Sequence, residues 1–462
     1  MTKNMETLIK FENQKLNELR SNLLKDLDHE YYAILYGKTH KIDEETTIIT
    51  VKDIVFFKGE PNDQTVVSIN ISPDFRARCL TEIDSRLDVD TIIDVHTHPF
   101  SGGMPHFSGV DTNDEKEMKE YLVKKGDDIH YASIVFSRDM YNARVWKYDQ
   151  STKKAYSENA FIRTQKVSEN IPNIYDKHAS NHEDEQLKMF DRSVLALGCD
   201  SIKTMMNNQT ITIVGVGGVG SIIAENLIHM GFQHINLIDF DTVEISNLNR
   251  LVGATYQDAL DKAKKVDVVA RHLRAINPFA TINTFCNSVF DSSVEKAIAL
   301  SDWIYLTTDN YASCVKVQEL AFKYYVPFIS AATNINVEDG KITDIRGEVI
   351  LIRIGDHMCL NCLGKINKRE LIYETHPDPN IREQMVQKGY VRGANVKDPA
   401  VKTLNSMVST IATDVLINQY TERQEDQFVI EFENNDAPII YSDKECVEKR
   451  HLDCHICGGK NE

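Results

Sequence analysis

Leu16, Leu19, Leu23 and Leu27 recur at the spacing of one helical face, so the chain opens with an amphipathic helix. Strand-like runs follow at Tyr31–Tyr36 and Thr46–Phe57, then a helical run at Phe75–Leu87 and an Ile/Val-rich run at Asp90–His96. A helix around Glu115–Lys125 and strand runs at Tyr131–Phe136 and Tyr141–Tyr148 complete a mixed α/β domain over residues 1–150. The sequence then turns polar and loses its periodicity, which predicts a linker over 151–188. A second domain, 189–462, alternates strand and helix: Thr210–Val214, Ile222–Met230, Ile235–Asp239, Lys264–Ile276, Trp303–Thr307 and Lys316–Tyr325. That alternation predicts a Rossmann-like, doubly wound parallel sheet. Beyond Pro327 the pattern is strand-rich, with a polar stretch over Lys365–Val401 and a helix through Met407–Tyr420.

With 462 residues, 42% of them hydrophobic and 26% charged, the chain has material for two or three cores. A net charge of -17 repels phosphate backbones and anionic bilayers, so neither nucleic acid nor membrane is an expected partner. The start, Met1–Lys10, has no apolar signal core and no stretch is long enough to span a bilayer, so a cytoplasmic location is expected.

His96 and His98 stand two residues apart at a strand end and therefore point to one face, where two imidazoles can converge on a metal. Asp111 follows thirteen residues on, ahead of a helix whose start reads as a Thr112/Glu115 capping box, which leaves Asp111 free to ligate. Two His and one Asp keep a fourth zinc position open, the arrangement of a hydrolytic site. Taken singly, each of these residues also has an ordinary reading: a solvated strand end, a helix-start charge, a loop serine.

The run Glu30-Tyr-Tyr-Ala-Ile-Leu-Tyr-Gly37, with His-Thr-His-Pro and Ser-Gly-Val-Asp, resembles the JAB/MPN family of JAMM zinc peptidases over roughly residues 1 to 150. The resemblance implies that His96, His98 and Asp111 hold zinc, that Glu30 is the general acid/base and that Ser108 stabilises the oxyanion. It also implies cleavage of peptide or isopeptide bonds after a C-terminal Gly-Gly. The loop from His98 to Asp111 is about two residues longer than the family's usual spacing. A domain that only docks its partner is therefore the alternative. His106, in the same loop, reads as a surface residue.

Gly215-Val-Gly217-Gly218-Val-Gly220 follows a strand and opens a helix, so bare backbone can approach a phosphate at the helix N-terminus. Asp239, ending the next strand, is placed for ribose hydroxyls, a pattern that suits NAD as well as ATP. The run Asp239-Phe-Asp241-Thr-Val-Glu-Ile-Ser-Asn247-Leu-Asn-Arg250 crowds polar and cationic groups beside the phosphate site instead of leaving a flat nicotinamide pocket. It resembles the ubiquitin-activating-enzyme-like adenylyltransferases of the ThiF/MoeB/HesA family, and the likeness runs on to Cys457. The resemblance implies ATP phosphates held by Asn247, Arg250 and Lys265, with Lys264 as a second lysine candidate, and magnesium oriented by Asp309. Arg192 matches an arginine that serves the partner subunit's site, which implies a homodimer; Asp241 reads as a structural partner. The implied substrate is a ubiquitin-like or sulfur-carrier protein ending in Gly-Gly, adenylated on its terminal carboxylate, with a conjugating enzyme as a further candidate partner.

Cys359-Leu-Asn-Cys362 and Cys454-His-Ile-Cys457 are two CxxC pairs separated by 91 residues. Four thiolates close a tetrahedral zinc, which is structural chemistry; a reactive dithiol is the other reading. The same two knuckles occur in the adenylyltransferase family. Where many relatives carry a thioester cysteine the chain has none, the aligned point falling at Val391 or a neighbour. Cys314 and Cys446 could substitute, while Cys79, Cys199 and Cys286 read as structural.

Overall fold

The computed structural model describes residues 6–26, 28–59, 71–99, 104–126, 128–166, 171–173, 186–207, 209–388, 391, 399–435, 437–442 and 453–458. The chain divides into two units, Met1–Ala179 and Ser180–Lys460. Leu27 and Cys446 lie outside the described residues. Among the described residues no helix is long and apolar enough to cross a membrane.

In the first unit seven strands close into a barrel: β1 (Glu6–Lys10), β2 (Tyr32–Lys41), β3 (Thr46–Phe56), β4 (Thr91–Thr97), β5 (His130–Phe136), β6 (Tyr141–Asp149) and β7 (Lys154–Arg163). They run in the order β1-β3-β2-β4-β5-β6-β7, and β1 pairs in parallel with β7 to complete the ring. The residues expected as the start of a linker thus include a barrel strand. Its covered positions, Ala155, Ala160 and Ile162, are few and stand among mostly exposed polar ones, so its composition reads as a loop.

Alternation along the strands sorts side chains into two cores. Ala33, Leu35, Ile93 and Val95 join Leu16, Leu19 and Leu23 of the Asn13–Leu23 helix in one; Tyr32, Ile34, Tyr36 and Ile92 join the other, with Phe75, Cys79 and Ile83 of the Pro73–Asp84 helix and Leu122 of the Gly109–Lys125 helix. Every residue of β4 is buried, because helices cover the face that a simple sandwich would leave wet. His96 shares the face of Ile92, on which the Gly109–Lys125 helix packs. The site is positioned by that alternation.

The second unit carries an eight-stranded sheet in the order β10-β9-β8-β11-β12-β13-β14-β15. Its parallel part comprises β8 (Thr210–Val214), β9 (His234–Ile238), β10 (Thr281–Phe285), β11 (Trp303–Leu306) and β12 (Phe328–Glu338). The rest, β13 (Lys341–Ile352), β14 (Val429–Asn434) and β15 (Pro438–Ser442), is antiparallel. The strand order reverses between β8 and β11, which is where open α/β sheets bind ligands, outside the carboxyl ends of the strands. The polar Lys365–Val401 stretch holds two helices, Lys368–Thr375 and Pro379–Gln387.

Candidate functional sites

In the first unit the β2/β4 register fixes the chemistry. Tyr32 lies opposite His96 in the antiparallel pair, and the Thr97 N–H donates to the Tyr31 carbonyl. Two residues outward on each strand, Glu30 therefore faces His98, with Oε1 3.8 Å from Nε2. The Gly109–Lys125 helix brings Asp111 Oδ2 to 3.6 Å from His96 Nε2. Donor atoms of His96, His98 and Asp111 all lie within 4.8 Å of one another. Ligand atoms of a tetrahedral zinc with bonds of about 2.0–2.1 Å stand roughly 3.3–3.5 Å apart, so the set fits that ion with little movement. His96 Nε2 is buried and has no hydrogen-bond partner among the described residues.

Burial raises the Glu30 carboxyl to about 7, with His96 pulling it down and Asp111 pushing it up. A carboxyl poised near neutrality can both take and return a proton. Burial and the neighbouring His96 lower His98 to about 4, keeping its imidazole neutral near pH 7. Asp111 stays below the usual carboxylate range: burial opposes ionisation, but His96 and Ser108 outweigh it.

The helix start departs from the sequence expectation. Ser108, not Thr112, is the N-cap: its hydroxyl accepts from the Asp111 N–H at 3.1 Å, and its own N–H donates to Asp111 Oδ2 at 2.6 Å. Thr112 instead accepts from Arg144 Nη1, and Glu115 is drawn into the barrel wall by Trp146 and Arg144. Asp111 thus serves as cap partner and candidate ligand through one carboxylate. The Ser108 hydroxyl, which accepts from the Asp111 N–H, still has an O–H to donate. His106 is exposed, as expected.

At the switch point of the second unit, Gly215 has φ +93°, and a Cβ there would stand 2.7 Å from the Thr307 carbonyl at the end of β11. Thr307 Oγ1 donates to the Gly215 carbonyl at 2.6 Å. A Cβ on Gly220 would lie 2.7 Å from that same hydroxyl, whereas one on Gly217 would meet nothing within 4 Å. The turn is closed on the protein side and open at Gly217, where a phosphate can approach backbone. Asp239 ties the turn down, accepting from the Val216 N–H at 2.7 Å and the Asp241 N–H at 2.9 Å. Burial raises its carboxyl, and Lys265 acts the other way.

Arg250 lays its methylenes across Gly218 and donates from Nη1 to the Ser246 carbonyl and Asn249 Oδ1. Lys265 Nζ pairs with Asp241 at 2.6 Å. Asn247 caps its own 3-10 turn, its Oδ1 accepting from the Glu244 N–H. Lys264 is exposed. Asp309 is also exposed, one residue past Thr308, whose N–H abuts Gly215. Arg192 sits on the Asp191–Leu197 helix, none of whose residues is buried within this chain.

Sequence reasoning missed Asn405 and Ser409 on the Lys402–Thr421 helix. Asn405 Nδ2 closes over Gly218, and Ser409 donates to the Val219 carbonyl at 3.0 Å. They come from far along the chain, and no local spacing marks them.

The four knuckle cysteines meet, with sulfurs 3.6 Å apart for Cys359/Cys454 and 3.5 Å for Cys362/Cys457, and all four within 4.8 Å. A tetrahedral zinc with bonds of about 2.3 Å places its sulfurs roughly 3.8 Å apart. Gln318 clamps the first knuckle, donating to Asn361 Oδ1 and accepting from the Leu360 N–H. Burial raises the Cys314 thiol to about 11, a poor state for a nucleophile. Val391 is buried, and of the cysteines expected to be structural Cys79 is buried while Cys199 and Cys286 are half-buried.

A family model described as the ThiF family matches residues 190–455, more than half of the chain. The tRNA threonylcarbamoyladenosine dehydratase 2 of Saccharomyces cerevisiae is 31% identical over 175 residues, covering 35% of this chain and 38% of that protein. A ubiquitin-like modifier-activating enzyme 5 of Drosophila willistoni is 28% identical over 182 residues, 37% of this chain and 42% of its own. The molybdopterin-synthase adenylyltransferase of Escherichia coli K12 is 29% identical over 184 residues, 40% of this chain and 70% of its own. The chain thus spans well under half the length of the first two.

Proposed function

The chain belongs to the ThiF family, and on that premise we propose that it is an ATP-dependent adenylyltransferase for the C-terminal carboxylate of a ubiquitin-like or sulfur-carrier protein. We propose further that its first unit is a zinc peptidase that trims or releases the same Gly-Gly tail. The observation that carries the first part is the glycine turn, open at Gly217 and roofed by Arg250 at the sheet's switch point. Names of two relatives, an adenylyltransferase and a ubiquitin-like modifier-activating enzyme, point the same way. A third name speaks of a tRNA, but a net charge of -17 works against a polyanionic substrate and favours a protein tail.

In this reading the substrate carboxylate attacks the α-phosphate of ATP, pyrophosphate leaves, and an acyl-adenylate results. The chain's part is positioning and charge neutralisation. The glycine turn presents N–H groups, Arg250 and Lys265 balance phosphate charge, Asp239 faces the ribose, and Asp309 would orient magnesium. Arg192 would complete the site of a second copy in a homodimer, and a conjugating enzyme would take the product onward.

In the first unit His96, His98 and Asp111 would hold zinc, which when bound supplies Lewis-acid polarisation of the scissile carbonyl. Glu30 takes a proton from the attacking water and returns it to the leaving amine, while Ser108 donates to the oxyanion. The observation supporting this part is the orphaned, buried His96 Nε2 within reach of Asp111. Cys359, Cys362, Cys454 and Cys457 would hold a second, structural zinc.

Exchange of pyrophosphate into ATP, stimulated by a Gly-Gly-ended ubiquitin-like protein, tests the first part, and lack of stimulation by every such protein would contradict it. Metal analysis tests the second: about two zinc ions per chain are expected with both sites filled, and about one if the first unit is only a docking module.

A further inference from the structure

His96 and Asp111 reach their meeting point from a strand and from a helix, so the helix must be fixed in rotation and in height against the barrel wall. A site held a fraction of an ångström too loosely binds and orients poorly. The fixing point is Glu115, one turn beyond Asp111 on the same helical face and only 5% exposed. Its Oε2 accepts from Trp146 Nε1 at 2.7 Å, from Arg144 Nε at 2.8 Å and from Ser133 Oγ.

Arg144, buried on β6, does more than pair with Glu115. Its Nη1 donates to Thr112 Oγ1 at 3.1 Å, and its guanidinium carbon stands 3.7 Å from the centre of the Phe107 ring. Phe107 in turn meets the His96 imidazole edge to face, 6.1 Å between centroids. One planar cation therefore touches the residue before the Ser108 cap, the residue after Asp111 and the anchor one turn on.

We infer that Arg144 is the positioning residue of the first site, holding Asp111 and His96 at metal-sharing distance through Thr112, Glu115 and Phe107. The inference rests on the zinc-site reading above. It requires the guanidinium's shape: a lysine ammonium can neutralise Glu115 but can neither stack on Phe107 nor present two donors in a plane.

The test uses the full-length, zinc-loaded protein and a chelator titration that resolves its two zinc ions, with the four-cysteine zinc as internal reference. Arg144→Lys keeps the buried charge, and Phe107→Leu removes only the stacking ring. Each is expected to weaken first-site zinc about 10- to 100-fold, the range for groups that orient a metal ligand, and to leave the cysteine-bound zinc unchanged. Arg144→Met is expected to do at least as much. First-site affinity unchanged in both Arg144→Lys and Phe107→Leu, even with a lowered melting temperature, would overturn the inference and assign Arg144 to stability alone. A wild-type protein with only the cysteine-bound zinc would instead overturn the zinc-site reading, and the inference with it.

Discussion

Arg250 lies across Gly218: a Cβ added to that glycine would stand 2.9 Å from the arginine's Cδ and would also strike Asn405. The arginine's reach over the turn and the glycine's lack of a side chain are one geometric fact. Gly218→Ala is accordingly expected to displace Arg250 from the phosphates. Loss of one transition-state donor costs about 2.7–4 kcal/mol, so exchange of pyrophosphate should fall roughly 100- to 1000-fold in Gly218→Ala and in Arg250→Ala. A Gly217→Ala variant, whose new methyl meets open space, should lose exchange only through competition with ATP, seen as a raised KM.

Glu30→Gln keeps the shape of the side chain and removes its proton chemistry. Cleavage after Gly-Gly should fall by about 100-fold or more, while zinc content and pyrophosphate exchange stay at wild-type level. Equal cleavage by the variant would take the proton-transfer role from Glu30.

Cys359 is fully buried, and its cluster with Cys457 and Ile456 packs on Val315 and Phe322 of the Tyr311–Lys323 helix. Cys359→Ser should lower zinc content from about two to about one per chain and destabilise the second unit, because binding energy at such a site is folding energy. Thermal unfolding followed with and without a chelator measures this, and peptidase cleavage should survive the substitution.

Asp258 and Arg271 form a two-pronged ion pair, with contacts of 2.9 and 2.8 Å, and Arg271 also donates to the Gly253 carbonyl, which fixes the segment following Arg250. Arg271 and the Thr255 hydroxyl hold the Asp258 carboxyl below its ordinary value. Such a group stabilises fully above the unfolded carboxylate's pKa of about 3.9 and loses that contribution as pH falls through the folded value. The difference in stability between wild type and Asp258→Asn should therefore be flat from neutral pH to about 5 and shrink below about 4. Chemical denaturation across that range checks the sign; a difference that grows on acidification would contradict it. The size is modest, since the Arg271 side chain is 57% exposed and its charge screened.

Features set by short spacings were legible in the sequence. The Gly215–Gly220 turn, the His96/His98 alternation and the CxxC knuckles each depend on a few consecutive residues, and the structure brings each group together. Closure of the barrel was not legible, because it depends on Thr7 pairing with Ala160 and on a strand whose outer face is polar. The helix cap was misplaced because Ser108/Asp111 and Thr112/Glu115 both spell a capping box. The tie was broken by Arg144 and Trp146, which draw Glu115 into the wall from a different strand. Asn405 and Arg144 carry no local signature, since each acts on residues distant in the chain.

The proposed function has one protein tail pass from a peptidase site to an adenylation site on the same chain. It is tested most directly with a ubiquitin-like protein carrying a short extension beyond its Gly-Gly, assayed for pyrophosphate exchange beside the same protein already trimmed. The trimmed protein should support exchange with wild type and with Glu30→Gln alike, and the extended one with wild type only. Exchange on the extended protein that Glu30→Gln leaves untouched, or none on the trimmed one, would contradict the account.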